Sequence, residues 1–204
     1  MGKIDLNKKQ KREALLNTAF ELFTTQGINK TTINNIVEAA GVAKGTFYLY
    51  FKDKYDIRNK LIAHKASHIF SIADEALSQT GLTELDDRII FLVDNIIEQF
   101  NADKSLLNFI SKNLSWGIFK NELISSSDNY DVNFYNIYTI LENSPRAFKN
   151  PEVLLFMIVE LVSSTCYSSI LYGEPVCIEE LKPYLFDAIR QLIKSQEVKS
   201  PEAN

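Results

Sequence analysis

Hydrophobic residues recur every three or four positions along most of the chain, which is the pattern of amphipathic helices. The first such stripe comprises Ala14, Leu15, Thr18, Ala19, Leu22 and Phe23. Residues at this spacing share one face of a helix, so the stripe predicts a helix that buries that face. We expect the helix to begin after the basic segment 8–12. It should end near Gly27, since glycine readily adopts the positive φ common at helix C-termini.

Two short helices joined by a glycine turn are predicted between residues 31 and 54. Thr32 is the expected N-cap of the first helix, and Gly41 makes the turn. The inward positions are Ile33, Ile36, Val37 and Ala40 in the first helix, and Val42, Phe47 and Phe51 in the second. The other face of the second helix is therefore available to a partner, as in a helix-turn-helix unit.

A long fourth helix should follow, capped by Asp53 and running to about Gln79. Its first half completes a small N-terminal domain, and its second half enters the rest of the chain. We expect a helix-turn-helix domain at 1–60 and a larger helical domain at 61–204.

The remaining stripes predict further amphipathic helices. They lie at about 85–100 behind a Thr83 cap, 105–114, 116–124, 130–142, 151–172 and 178–194. The helix at 151–172 should begin behind an Asn150 cap and stop at Gly173. Only 7 Gly and 5 Pro leave little room for hairpins. The expected fold is all-α, with a three-helix N-terminal domain and about nine or ten helices in total.

The run 153–162 is very apolar, but it contains Glu160 and is followed by serines. These features favour a buried core helix over a membrane span. Cys166 and Cys177 have no metal-type spacing, and no secretory signal is evident, so we expect a cytoplasmic protein with reduced thiols.

The charge is divided unevenly along the chain. Residues 1–60 hold 11 Lys and Arg against 6 Asp and Glu, a net charge of +5, whereas the whole chain carries −4. A basic N-terminal part beside an acidic body gives a local attraction for phosphate that the total conceals.

The polar residues of the predicted second short helix suit contact with a nucleic acid. Lys44 can reach a base edge or a phosphate, and Thr46 carries both a hydroxyl and a methyl group. Gly45 allows close approach of the backbone. The hydroxyl groups of Tyr48 and Tyr50 can donate hydrogen bonds to phosphate.

The run from Thr31 to Lys54, which includes Ala40-Gly41-Val42-Ala43-Lys44-Gly45-Thr46-Phe47-Tyr48, resembles the N-terminal signature of the TetR family of one-component transcriptional regulators. The resemblance covers roughly residues 10–60. It implies binding of a dimer to a palindromic double-stranded DNA operator, and release by a small molecule held in a helical C-terminal domain. The implied DNA contacts are Thr32, Lys44, Gly45, Thr46, Tyr48, Tyr50 and Lys54. Leu49 departs from the polar or aromatic residue that many members carry at this position.

The body should supply the dimer interface and an effector pocket. The helices at 151–172 and 178–194 are the candidates for a two-fold four-helix interface between two copies of the chain. The candidate ligand-binding residues are Phe109, Trp116, Phe119, Tyr135, Tyr138, Phe156, Glu160 and Tyr167. Their composition favours a small, largely hydrophobic effector.

Other functions are less well supported by the sequence. His64 and His68 have the i, i+4 spacing of a metal site but no evident third ligand, so no metal or cofactor is expected. Nucleophile elbows, phosphate loops and zinc spacings are missing, which argues against an enzyme. A helical adaptor, or an activator using the same N-terminal motif, remains an alternative to a repressor.

Overall fold

The computed structural model describes residues 3–113 and 140–198, and within these ranges the chain is all-α. The described helices, in chain order, are α1 Lys3–Thr25, α2 Ile33–Ala39, α3 Lys44–Tyr50, α4 Lys54–Ser78, α5 Leu85–Ala102, α6 Lys104–Asn113, α7 Pro151–Tyr172 and α8 Ile178–Gln196. The helices predicted at 116–124 and over most of 130–142 lie outside the described residues.

The predicted helix starts are confirmed at three N-caps. The Thr32 hydroxyl accepts a hydrogen bond from the backbone amide of Asn35 at 3.1 Å. In return, the Asn35 side-chain oxygen accepts a hydrogen bond from the backbone amide of Thr32 at 2.9 Å. Asp53 caps α4 by accepting from two backbone amides, each at 2.8 Å. Asn150 caps α7, which ends as expected at the left-handed Gly173. These side chains satisfy amides that have no partner within the helix.

Two glycines make the turns that separate the first three helices. Gly27 has φ +84° after α1, and Gly41 has φ +65° between α2 and α3. Other residues adopt such angles only with strain, so these turns explain both glycines.

Two predicted starts are wrong. The basic segment 8–12 does not precede α1 but forms part of it, because α1 begins at Lys3. Lysine and arginine are good helix formers, so the segment extends the helix without any apolar stripe of its own. The Thr83 cap is not used either: α5 begins at Leu85 after Glu84, which makes no capping hydrogen bond through its side chain.

Helix α4 connects the two parts of the fold. Its N-terminal residues Ile57 and Leu61 are fully buried in one core with Leu15, Phe47 and Phe51. Further along, α4 packs against α5 and α6, while α7 packs against α5, α6 and α8. The α4 helix thus belongs to both the small N-terminal bundle and the larger helical body.

Among the described helices, α7 alone is long and apolar enough to cross a membrane, with a mean hydropathy of 1.8 in its best window. Its residues Leu154, Ile158, Val162 and Cys166 are buried in the core. A buried stripe together with contacts to α5, α6 and α8 is the arrangement of a core helix.

Candidate functional site

The α3 helix is fixed to the N-terminal core by two aromatic side chains. Phe47 and Phe51 are 0% and 1% exposed, and their ring centroids lie 5.5 Å apart. Burying such rings fully is worth about 1.5–3 kcal/mol each, so α3 cannot easily rotate on the core. The opposite face of α3 is therefore presented to solvent in a fixed orientation.

That exposed face carries most of the residues predicted for α3. Lys44 and Gly45 are exposed at its first turn, and Tyr48 is 53% exposed in the middle. Thr46 is half-buried beside them. Leu49 is 78% exposed, a large fraction for an aliphatic side chain. An exposed leucine on a helix held this firmly is available for apolar contact with a partner.

Gly45 is not required by the packing of the protein itself. A Cβ built at this position would meet no other protein atom within 4 Å, and its φ is not positive. The missing side chain therefore leaves open space on the outer surface of α3, where an external backbone could approach.

Thr32 and Tyr50 lie at the edges of this surface. Thr32 is exposed, but its hydroxyl already takes part in the α2 cap, where it also donates to the Asn35 side chain at 2.7 Å. Tyr50 is half-buried, and its carbonyl accepts from Lys60 Nζ at 3.2 Å.

Lys54 is held inside the N-terminal bundle. Its Nζ donates to the carbonyls of Ile28 and Thr31 at 2.9 and 3.1 Å. The ammonium group therefore ties the first residue of α4 to the loop that leads into α2. This loop is fixed further by the buried Thr31, whose hydroxyl donates to the Gly27 carbonyl at 2.9 Å and accepts from Gln26 at 3.2 Å.

Tyr55 and Arg58 extend the surface beyond the residues that the sequence analysis selected. Tyr55 is 51% exposed at the start of α4, and the Arg58 guanidinium carbon lies 5.5 Å from the centre of its ring. An exposed tyrosine stacked with a cation can meet phosphate and sugar. Its position in the first turn of α4, two residues after the Asp53 cap, was the available sequence signal.

The predicted pocket residues are brought together only in part. Trp116, Phe119, Tyr135 and Tyr138 lie outside the described residues. Phe109 is 4% exposed and packs against α1, with its ring 5.4 Å from that of Phe20. Phe156 lies on the outer side of α7, 36% exposed. Glu160 and Tyr167 face a common recess.

This recess lies between α6 and α7 and has a volume of about 410 Å³. Among the described residues, its polar lining comprises Ser111, Ser163, Ser164, Ser168, Tyr167 and Glu160. The Tyr167 hydroxyl donates to the Asn108 side chain of α6 at 3.3 Å, which orients the ring. Val159 and Ser163 line the recess and also a second, apolar cavity of about 80 Å³. The other residues of that cavity are Ala66, Ile69, Phe70, Val93, Ile96, Phe100, Ile110 and Val162.

The two histidines do not form a metal site in the described residues. His64 pairs with Glu13 of α1, with 3.6 Å between Nε2 and the carboxylate oxygen, and His68 is exposed. No cluster of three His, Cys, Asp or Glu side chains suited to a metal ion occurs in 3–113 or 140–198. Burial lowers the pKa of His64, although the Glu13 charge opposes the shift.

Comparison with known sequences agrees with this geometry. The profile of the bacterial regulatory proteins of the tetR family matches residues 15–61, which run from the middle of α1 into the first third of α4. An HTH-type transcriptional regulator of Bacillus subtilis (strain 168), YdgC, is 28% identical over 48% of this chain and 51% of its own length. The chain thus matches about half of that relative. An HTH-type transcriptional regulator of Staphylococcus aureus (strain USA300) is 23% identical over 88% of this chain and 92% of its own length.

The fold is also found among solved structures. The transcriptional regulator FadR from Bacillus subtilis, solved in complex with stearoyl-CoA, has a TM-score of 0.64 and 17% identity. The likeness covers 87% of this chain and 96% of that one, and at this identity it concerns the fold alone. The relatives named here are described as HTH-type transcriptional regulators. With their helix-turn-helix unit and the matching profile, residues 15–61 form a domain similar to the DNA-binding domain of the bacterial regulatory proteins of the tetR family.

Proposed function

We propose that the chain is a cytoplasmic, homodimeric repressor that binds a palindromic operator and leaves it when a small, largely hydrophobic effector enters the body. The observation that carries this proposal is the outer face of α3. Lys44, Tyr48 and Leu49 are exposed on a helix whose other face is locked by Phe47 and Phe51. Such a helix can enter a major groove without losing its own packing.

The DNA contacts divide by chemistry. Lys44 and Thr46 are proposed to reach base edges or phosphates from the first turn of α3, with Gly45 allowing close approach. The hydroxyl groups of Tyr48 and Tyr50 donate hydrogen bonds to phosphates. Thr32 meets the backbone at the start of α2. Lys54 adds positive charge, and its main contribution is to hold the loop before α2 in place.

A dimer is proposed through α7 and α8, in the domain assigned to residues 61–204. Both helices carry large exposed apolar residues: Val153 and Phe156 on α7 are 43% and 36% exposed, and Tyr184 on α8 is 75% exposed. A second copy would remove this surface from water. Two recognition helices related by a two-fold axis can read half-sites about 34 Å apart, which is one turn of DNA.

The effector response is proposed to pass through α4, because this helix belongs to both the N-terminal bundle and the body. A ligand between the body helices would tilt α4 and change the spacing of the two α3 helices. Binding of stearoyl-CoA by the FadR neighbour supports a ligand role for the helical body of this fold.

Selection of bound sequences from random duplex DNA, followed by salt titration of binding, tests the DNA-binding part. We expect a palindromic site bound by two chains, with affinity that falls steeply as salt rises. Lys44→Ala should weaken binding, whereas Lys104→Ala, an exposed lysine on α6, should not. Equal binding of all duplexes by a single chain would contradict the proposal.

A further inference from the structure

We propose that Leu49 contacts the 5-methyl group of a thymine in each half of the operator, and is therefore a specificity-determining residue of α3. This inference rests on the proposed DNA-binding function and deepens it by naming one base that the site recognises. It is carried by the exposure of Leu49, by the open surface at Gly45 beside it, and by the fixed orientation of α3.

Leu49 is the most exposed large hydrophobic side chain in the part of the chain that the structure describes, at 78%. This exposure does not depend on the absence of a second copy. Leu49 belongs to the N-terminal bundle, where α3 packs against α2, whereas the proposed dimer forms through α7 and α8. Removal of the leucine from water by a partner of the N-terminal bundle would be favourable.

The surface beside Leu49 is open at Gly45. The two residues are four positions apart in α3, so they share one face of the helix. A Cβ built at Gly45 would meet no other protein atom within 4 Å. A flat base edge can therefore approach the helix backbone at Gly45 and meet the Leu49 side chain at the same time.

The position of Leu49 is fixed by the opposite face of α3. Phe47 and Phe51 are buried in the core, so the helix has one orientation on the bundle. A leucine on such a helix reaches the same place in every half-site. This constancy is what a contact needs if it is to distinguish one base from another.

Thymine is the base whose major-groove edge suits a leucine. Its 5-methyl group is the apolar group that the four base pairs offer there, and the other positions on the groove floor are hydrogen-bond donors and acceptors. Leucine cannot form hydrogen bonds, so a polar base edge pressed against it would lose water without compensation. The methyl group instead gains from burial. Thr46 also carries a methyl group, but it is half-buried.

Parallel selections of bound sequences from random duplex DNA by the wild type and by Leu49→Ala give the first test. The wild type should enrich thymine at one position in each half-site, and the variant should lose this enrichment while it keeps the others. Leu49→Ala should fold like the wild type, because the side chain is exposed and alanine is the best helix former. Urea denaturation checks the fold.

Replacement of that thymine by uracil removes only the methyl group from the operator. The wild type should bind the uracil duplex more weakly by roughly fourfold per half-site, the worth of one buried methyl group. Leu49→Ala should bind the two duplexes equally. Leu82→Ala is the matched control, since Leu82 is an exposed leucine in the loop after α4, and it should keep the full preference for thymine.

Thr46→Ser removes the other methyl group of α3 and should keep the wild-type preference. Loss of the preference in Thr46→Ser, with Leu49→Ala unchanged, would assign the methyl contact to Thr46 and overturn the proposal. Equal binding of both duplexes by the wild type would overturn it too. Either result leaves the proposed function intact, because the chain still binds a specific duplex. A wild type that selects no duplex would refute the proposed function and the inference together, which is a distinct result.

Discussion

The ring of Phe20 in α1 meets the ring of Phe109 in α6 edge to face, with 5.4 Å between centroids and 86° between planes. Phe23 of α1 lies on another side of Phe109, with centroids 6.4 Å apart and nearly parallel planes. Phe109 thus joins the N-terminal bundle directly to the body, in addition to the connection through α4. It also lies one helical turn or less from Asn108 and Ser111, which face Tyr167 and the recess.

A double-mutant cycle with Phe20→Leu and Phe109→Leu should reveal this connection. We expect each single variant to lower the free energy of unfolding, and the two losses to be non-additive by about 0.5–1.5 kcal/mol, the usual worth of an edge-to-face pair. Urea denaturation of the four proteins measures the coupling.

Phe100→Leu provides the control for that cycle. Phe100 is also buried, 8% exposed, but it lies in α5 among the residues of the apolar cavity. The decrease in unfolding free energy caused by Phe100→Leu should add to the decrease caused by Phe20→Leu within about 0.5 kcal/mol. Equal coupling of Phe20 to Phe100 and to Phe109 would mean that the cycle reports general loosening and not the ring contact.

Local sequence was sufficient to predict the elements whose ends depend on a few neighbouring residues. The caps at Thr32, Asp53 and Asn150 and the turns at Gly27 and Gly41 are of this kind. The extension of α1 through the basic segment was missed because charged residues carry no apolar periodicity, although they favour a helix.

Contacts between distant segments could not be predicted in this way. From the sequence, Lys54 would be expected on the surface. Its ammonium group instead donates hydrogen bonds to the carbonyls of Ile28 and Thr31, which precede it by more than twenty residues. The recess likewise requires Ser111 of α6 to lie opposite Glu160 and Tyr167 of α7. Only the packing of α6 on α7 brings these residues together.

Lys44→Ala and Lys54→Ala should weaken DNA binding for different reasons. Lys44 is exposed, so its loss should leave the unfolding free energy unchanged within about 0.5 kcal/mol and reduce the salt slope by roughly 0.9 for one phosphate contact. Lys54→Ala removes two internal hydrogen bonds and should lower the unfolding free energy by about 1–2 kcal/mol.

Salt titration and urea denaturation of the same two variants separate these effects. Lys52→Ala, which removes an exposed lysine between them, controls for general loss of positive charge. If Lys54→Ala keeps wild-type stability and shows the full change in salt slope, Lys54 acts as a phosphate ligand and its internal hydrogen bonds contribute little.

The stability of the fold should decrease at mildly acidic pH through His64. Burial lowers its pKa below the ordinary 6.5, and the nearby charges of Lys65, Arg12 and His68 act in the same direction against the opposing Glu13. The unfolded chain therefore binds a proton more readily than the folded one, so stability is lost as pH falls through and below 6.5.

Urea midpoints at about pH 8 and about pH 5.5 test the His64 prediction. His64→Gln should show a smaller decrease between the two values than the wild type, because the titrating group is gone. His68→Gln, at the exposed histidine one turn further along α4, keeps His64 and should show a decrease close to that of the wild type, reduced only by the loss of one charge that lowers the pKa of His64. Carboxylates other than Glu13 lie in the same surroundings in all three proteins, so the difference between the decreases reports His64 together with its partner Glu13.

The two thiols should differ sharply in reactivity. Burial raises the pKa of Cys166 to about 11, whereas Cys177 is exposed before α8. Only the thiolate attacks a disulfide reagent, so at about pH 8 a buried thiol with a raised pKa reacts slowly.

Titration of the native chain with an aromatic disulfide reagent should release one equivalent of the aromatic thiolate rapidly, and a second only when urea unfolds the protein. Cys177→Ser should abolish the rapid phase and Cys166→Ser the slow one. A rapid phase that survives Cys177→Ser would place an accessible, reactive thiol at Cys166 and contradict its burial in the core.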